Sequence, residues 1–185
     1  MNVPLVLSHF LDRAALLYGD KKAIIGDDKV LTYLELNGRV NQLSNGLRDI
    51  GVKKGDKVAY LAPNSIEMLE GFYGVFQLGA VIVPLNIRLK PADYVFILNH
   101  SESKVLFVDQ ELYHLISPVK DELESVEHII VHYKDEEINE TDYNHWLERY
   151  DNKCFNREAV VENDVSSLLY TSGTTGNHKG VMLTH

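Results

Sequence analysis

From Lys57 onward the sequence alternates between short apolar runs and helix-length amphipathic segments, a rhythm that a helix-covered parallel sheet satisfies and few other architectures do. Lys57 to Leu61 has the character of a buried strand, Ser65 to Leu78 of a helix, and Val81-Ile82-Val83 of the next strand, together a βαβ unit. The same alternation predicts helices over 91–100, 110–117 and 141–149, and strands over 104–108, 128–132 and 165–171. Upstream, Leu7 to Tyr18 carries apolar residues at three- and four-residue steps, the pattern of an amphipathic helix capped by Ser8 or the residues before it and ended by Gly19-Asp20. Ala23-Ile24-Ile25 and Val30-Leu31-Thr32 suit a hairpin, and Tyr33 to Ile50 a second amphipathic helix with Gly51 as its C-cap. The expected class is α/β, with alternating helices and a largely parallel sheet whose ligands gather at the carboxyl ends of the strands.

The last expected strand runs into a loop rich in glycine and hydroxyl groups, Thr171-Ser172-Gly173-Thr174-Thr175-Gly176-Asn177-His178-Lys179-Gly180. Glycines 173, 176 and 180 permit positive φ and close approach of backbone N–H groups to an anion. Thr171, Ser172, Thr174 and Thr175 add four hydroxyl donors, and Lys179 adds a mobile positive charge. Such a set suits a polyphosphate. It is not the Walker arrangement, in which lysine follows glycine directly and precedes Ser or Thr; here two residues separate Gly176 from Lys179, and Gly180-Val181 follow. Composition alone also fits a plain polar loop between strands, but the order S-G-T-T-G-x-x-K-G is more particular than that.

Tyr170 to Gly180 resembles the phosphate-loop signature of the adenylate-forming (AMP-binding) superfamily, to which acyl-CoA synthetases, luciferases and peptide-synthetase adenylation domains belong. One position departs: the family usually has proline before the lysine, and this chain has His178, which lifts a φ restraint and adds a backbone N–H. A spacer is the plainer role for His178; assistance to phosphate binding by a protonated imidazole is the alternative. Leu31-Thr32-Tyr33-Leu34-Glu35-Leu36 is similar to the family's T-Y-x-E-L segment, and Leu78-Gly79-Ala80-Val81-Ile82-Val83-Pro84-Leu85-Asn86 to its G-A-x-x-V-P-L-N segment, in the family's order. The continuation through Arg88-Leu89, Asn99-His100-Ser101 and Lys104 to Asp109 resembles the fatty acyl-CoA synthetase branch.

The resemblance implies that residues 1–185 are the N-terminal part of the large domain of such an enzyme, ending just after a phosphate loop at 171–180. It implies a two-step ligation in which a carboxylic acid, of medium- or long-chain fatty type, reacts with Mg-ATP to an acyl-adenylate and then with coenzyme A. In that scheme Thr171, Ser172, Gly173, Thr174, Thr175, Gly176, Lys179 and Gly180 hold the β- and γ-phosphates of ATP. The family's magnesium-binding glutamate, ribose-binding aspartate, acyl pocket and catalytic lysine correspond to positions after His185, so the 185 residues by themselves are expected not to catalyse ligation. A non-catalytic nucleotide- or partner-binding module stands as the alternative, and an unrelated NTPase is disfavoured by the absent Walker pair.

Charge and cysteine content narrow the setting. A formal net charge of −9 argues against a general nucleic-acid surface, so any phosphate affinity must be local. The single cysteine, Cys154, and the absence of a cationic leader with an apolar core point to the cytoplasm. No apolar run approaches the roughly 18 residues of a spanning helix, so contact of a lipid-handling chain with a membrane would be peripheral. His100, His114, His128, His132 and His145 show no metal-ligand spacing and read as surface or packing residues. Lys134-Asp135-Glu136-Glu137 reads as a solvated patch, Arg88 as a structurally paired residue, and Val181-Met182-Leu183 as apolar surface beside a sheet edge left open after the phosphate-loop strand.

Overall fold

The computed structural model describes residues 4–26, 29–132, 138–171 and 178–185. Helix α1 (Ser8–Tyr18), the antiparallel hairpin of β1 (Lys22–Ile25) and β2 (Val30–Thr32), and helix α2 (Tyr33–Asp49) come first. They are followed by β3 (Lys57–Leu61), α3 (Ile66–Leu78), β4 (Val81–Pro84), α4 (Pro91–Ser101) and β5 (Ser103–Asp109). Two 3₁₀ segments, Gln110–Leu115 and Ser117–Glu122, lead to β6 (His128–His132) and β7 (Thr141–Asp142). Helix α5 (Tyr143–Leu147) and strands β8 (Val165–Thr171) and β9 (Lys179–Thr184) complete the described structure.

Seven strands form one sheet in the order β7-β6-β5-β3-β4-β8-β9, parallel throughout except for the antiparallel β8–β9 pair. Successive strand residues serve opposite faces. Val58 and Tyr60 pack with Leu43 and Leu47 of α2 and Val75 and Phe76 of α3, whereas Ala59 and Leu61 pack with Tyr94, Ile97 and Leu98 of α4. β5 divides in the same way, Val105 and Phe107 against Leu106 and Val108. Burial of both faces is why these strands read as continuous apolar runs.

Local chemistry sets the helix ends. Thr32 and Glu35 form a reciprocal capping box at α2, and the Ser65 hydroxyl accepts from Met68 N–H at 3.2 Å to start α3. Gly79, at φ 68°, ends α3 in the left-handed conformation that glycine adopts without strain.

Several expectations need correction. The helix expected over 110–117 is instead the two 3₁₀ segments, because Pro118 disfavours helical backbone at Ser117 and the Asp109 carboxylate ties back onto Glu111 N–H. The helix expected over 141–149 begins only at Tyr143, since Thr141–Asp142 pairs with β6 and the Asp142 side chain caps the helix through His145 N–H at 2.7 Å. Of the alternatives at α1 the residue before Ser8 holds: Leu7 is the N-cap, and Ser8 is buried within the first turn. Ile50 is the C-cap of α2, with Gly51 immediately after it at φ 91°. The edge expected beside β8 is covered by β9, so β9 is the outermost strand; Val181, Met182 and Leu183 are exposed at 45%, 69% and 45%. Lys134 to Glu137 lie outside the described residues.

Candidate phosphate-binding site

The β8–β9 pair places the ends of the expected loop. Thr171 and Lys179 are cross-strand partners, as are Tyr170 and Gly180, so the segment joining them leaves the sheet at the carboxyl end of β8. Ser172, Gly173, Thr174, Thr175 and Gly176 lie outside the described residues; Thr171, Lys179 and Gly180 lie within them and are exposed. Lys179 forms no ion pair with a described residue.

Gly180 departs from expectation. It lies in strand β9 and is absent from the residues with positive φ. Its small size serves packing instead: a Cβ there would lie 3.0 Å from Leu168 Cδ1 and 3.3 Å from Tyr170 Cζ. Glycine therefore lets the Tyr170 ring lie across its partner strand.

Two contacts fasten this hairpin to α4. His178 Nε2 lies 3.1 Å from Asp93 Oδ1, and Tyr170 Oη lies 2.7 Å from His100 Nδ1. The second Asp93 oxygen accepts from Lys90 N–H at 3.0 Å. That backbone hydrogen bond, followed by the one with His178, holds the Asp93 carboxyl below the usual aspartate range. Burial raises the Tyr170 hydroxyl above its usual range, so it remains protonated at neutral pH. The reading of His178 as a spacer gives way to that of a paired side chain.

Arg88 is exposed and forms no ion pair with a described residue, contrary to the pairing expected of it; its N–H donates to Asn86 Oδ1 at 3.0 Å. His132 sits 3.2 Å from Glu67 Oε1. This pair borders a crevice that local sequence does not announce. The chain steps from β3 to β4 in one direction and then to β5 on the other side of β3, so the order reverses between β3 and β5. The carboxyl ends there are bordered by Tyr60, Ser65, Glu67, Asp109 and His132, a position where α/β sheets often bind ligands.

Behind it, buried Glu70 accepts from Arg39 Nε and Nη2 and from the Tyr143 hydroxyl at 2.7 Å. Burial opposes the charge of Arg39, but hydrogen bonding and charge pairing with Glu70 outweigh it and raise the guanidinium pKa. Among the described residues no three His, Cys, Asp or Glu side chains are grouped to hold a metal ion. None of the described helices is long and apolar enough to cross a membrane.

The chain is 38% identical over 189 residues to the long-chain-fatty-acid–CoA ligase of Thermus thermophilus, covering 100% of this chain and 34% of the relative. It is 34% identical over 170 residues to the 3-hydroxybenzoate–CoA/4-hydroxybenzoate–CoA ligase of Thauera aromatica, covering 90% and 32%. The chain thus spans about a third of the length of the curated relatives it matches. Its fold superposes with a TM-score of 0.94 on the crystal structure of the anthranilate CoA ligase AuaEII in complex with anthranoyl-AMP, at 30% identity over 100% of this chain and 36% of that one. The model of the AMP-binding enzyme family matches residues 11–185, and the chain belongs to that family.

Proposed function

We propose that residues 1–185 form the N-terminal, phosphate-loop-bearing part of an acid–CoA ligase that works through an acyl-adenylate. The observation that carries this reading is the pairing of Thr171 with Lys179 at the carboxyl end of β8, which brings a hydroxyl and an ammonium group to one mouth. Ser172, Gly173, Thr174, Thr175 and Gly176 join them, and together with Gly180 the loop holds the β- and γ-phosphates of ATP. An acid's carboxylate oxygen attacks the α-phosphorus, the bond to the β-phosphate bridging oxygen breaks, and pyrophosphate leaves. The coenzyme A thiol then attacks the acyl carbon and AMP departs. The loop's share is electrostatic: charge accumulates on the departing pyrophosphate, and fixed donors there stabilise it.

A fatty acid is the proposed acid, supported by the segments shared with that branch and by the 38% identity to the Thermus enzyme against 34% to the hydroxybenzoate ligase. Calorimetric titration of ATP into the 185-residue chain tests the nucleotide reading: one saturable site displaced by pyrophosphate is expected, and no saturable binding would contradict it. The chain alone should show no acid-dependent ATP–pyrophosphate exchange. The native polypeptide carrying these residues should show exchange dependent on a fatty acid; dependence on hydroxybenzoate instead would overturn the assignment of the acid.

A further inference from the structure

Asp93, Phe96 and His100 lie at i, i+3 and i+7 on α4, so they share one face over roughly 10 Å of helix. That face meets the β8–β9 hairpin at both arms. At the start of α4, Asp93 holds His178, the residue before β9; near its end, His100 holds Tyr170, the penultimate residue of β8. The Phe96 ring lies between, its centroid 5.3 Å from that of His100 and 6.2 Å from that of His178. The His178 side chain is only 15% exposed. One rigid helix thus grips the chain on either side of the segment that joins the two strands.

We infer that α4 is a two-point clamp whose Asp93 and His100 are positioning residues for the β8–β9 mouth, acting through His178 and Tyr170. The consequence for nucleotide affinity rests on the nucleotide reading of the site; the clamp itself does not. Where relatives are expected to have proline, a φ restraint stiffens the loop's exit; here a side-chain tie to α4 replaces it.

A neutral imidazole with its proton on Nε2 can donate to Asp93, but a protonated one adds charge attraction to the same hydrogen bond. The groups against His178 are Asp93 and Phe96 of α4. Asp93 stays ionised to below the ordinary aspartate value of 3.8, first through Lys90 N–H and then through His178.

Hydrogen–deuterium exchange of residues 168–171 and 178–182 tests this without any ligand. Both arms should exchange more slowly in the wild type than in Asp93→Asn or His178→Ala, by about 3-fold or more. His178→Pro should keep the protection, because proline restrains the backbone without the side-chain tie. Protection of β3 in every variant controls for the fold. ATP affinity of the full chain should fall in Asp93→Asn, which keeps the His178 ring and loses only the carboxylate. Wild-type exchange in Asp93→Asn and His178→Ala would overturn the clamp. If exchange follows the expected pattern and ATP binds to none of the proteins, the nucleotide reading fails and the clamp stands.

Discussion

Thr171 and Lys179 face each other across β8 and β9, so a hydroxyl and an ammonium group share the mouth of the candidate phosphate site although seven residues separate them in the chain. A charge-assisted contact to phosphate contributes about 1.5–3 kcal/mol, so Lys179→Ala should weaken ATP binding by about 10-fold or more. Thr171→Val removes a neutral donor and should cost less, about 10-fold at most. Calorimetry on the two variants checks the ranking; equal affinity of Lys179→Ala and wild type would remove the lysine from the site.

Two buried tyrosines should respond oppositely to loss of their hydroxyl groups. Tyr143 donates to buried Glu70, whereas the buried Tyr60 hydroxyl has no hydrogen-bond partner among the described residues. Tyr143→Phe leaves part of a buried carboxylate unsatisfied and should destabilise by about 1–3 kcal/mol. Tyr60→Phe discards a polar atom that is buried without a bond to a described residue and should be neutral or stabilising. Urea midpoints of the two variants measure the contrast directly.

Gly71 is a packing requirement of α3. A Cβ there would lie 2.4 Å from Tyr60 Cζ, and the Tyr60 ring is itself stacked on Phe107 with centroids 4.6 Å apart. The ring is buried and held by that stacking, so Gly71→Ala should destabilise by about 1–3 kcal/mol despite alanine's better helix propensity. Thermal unfolding of this variant with and without Tyr60→Phe would show whether the ring, rather than its hydroxyl, is the obstacle.

The outermost strand β9 carries three consecutive exposed apolar residues, Val181, Met182 and Leu183. Such an edge pairs readily with another chain. Met182→Lys should reduce concentration-dependent association of the 185-residue protein without lowering its unfolding midpoint, as light scattering and denaturation together would reveal.

Strands β3, β6 and β8 were legible to the residue: β3 is buried along Val58–Leu61 and reads as an apolar run, β6 centres on Ile129-Ile130-Val131, and β8 carries Leu168-Leu169-Tyr170 after Ser166-Ser167. The 3₁₀ segments and the two-residue strand β7 were not, because their form depends on Pro118, on carboxylate ties and on pairing with β6. Strand order is a long-range property, so the crevice between β3 and β5 had no local signal. The loop residues were singled out by their order alone and most of them lie outside the described residues, whereas the pairing of His178 had no local signal. Its partner Asp93 lies 85 positions away, and only the fold of α4 against the hairpin joins them.

The most direct test is nuclear magnetic resonance of the isotope-labelled chain during titration with ATP. Perturbations centred on Thr171, Lys179 and Gly180, reproduced by pyrophosphate and diminished in Lys179→Ala, are the predicted result. Perturbations centred instead on Tyr60, Glu67 and His132, or none at saturating nucleotide, would contradict the assignment of the β8–β9 mouth as the phosphate site.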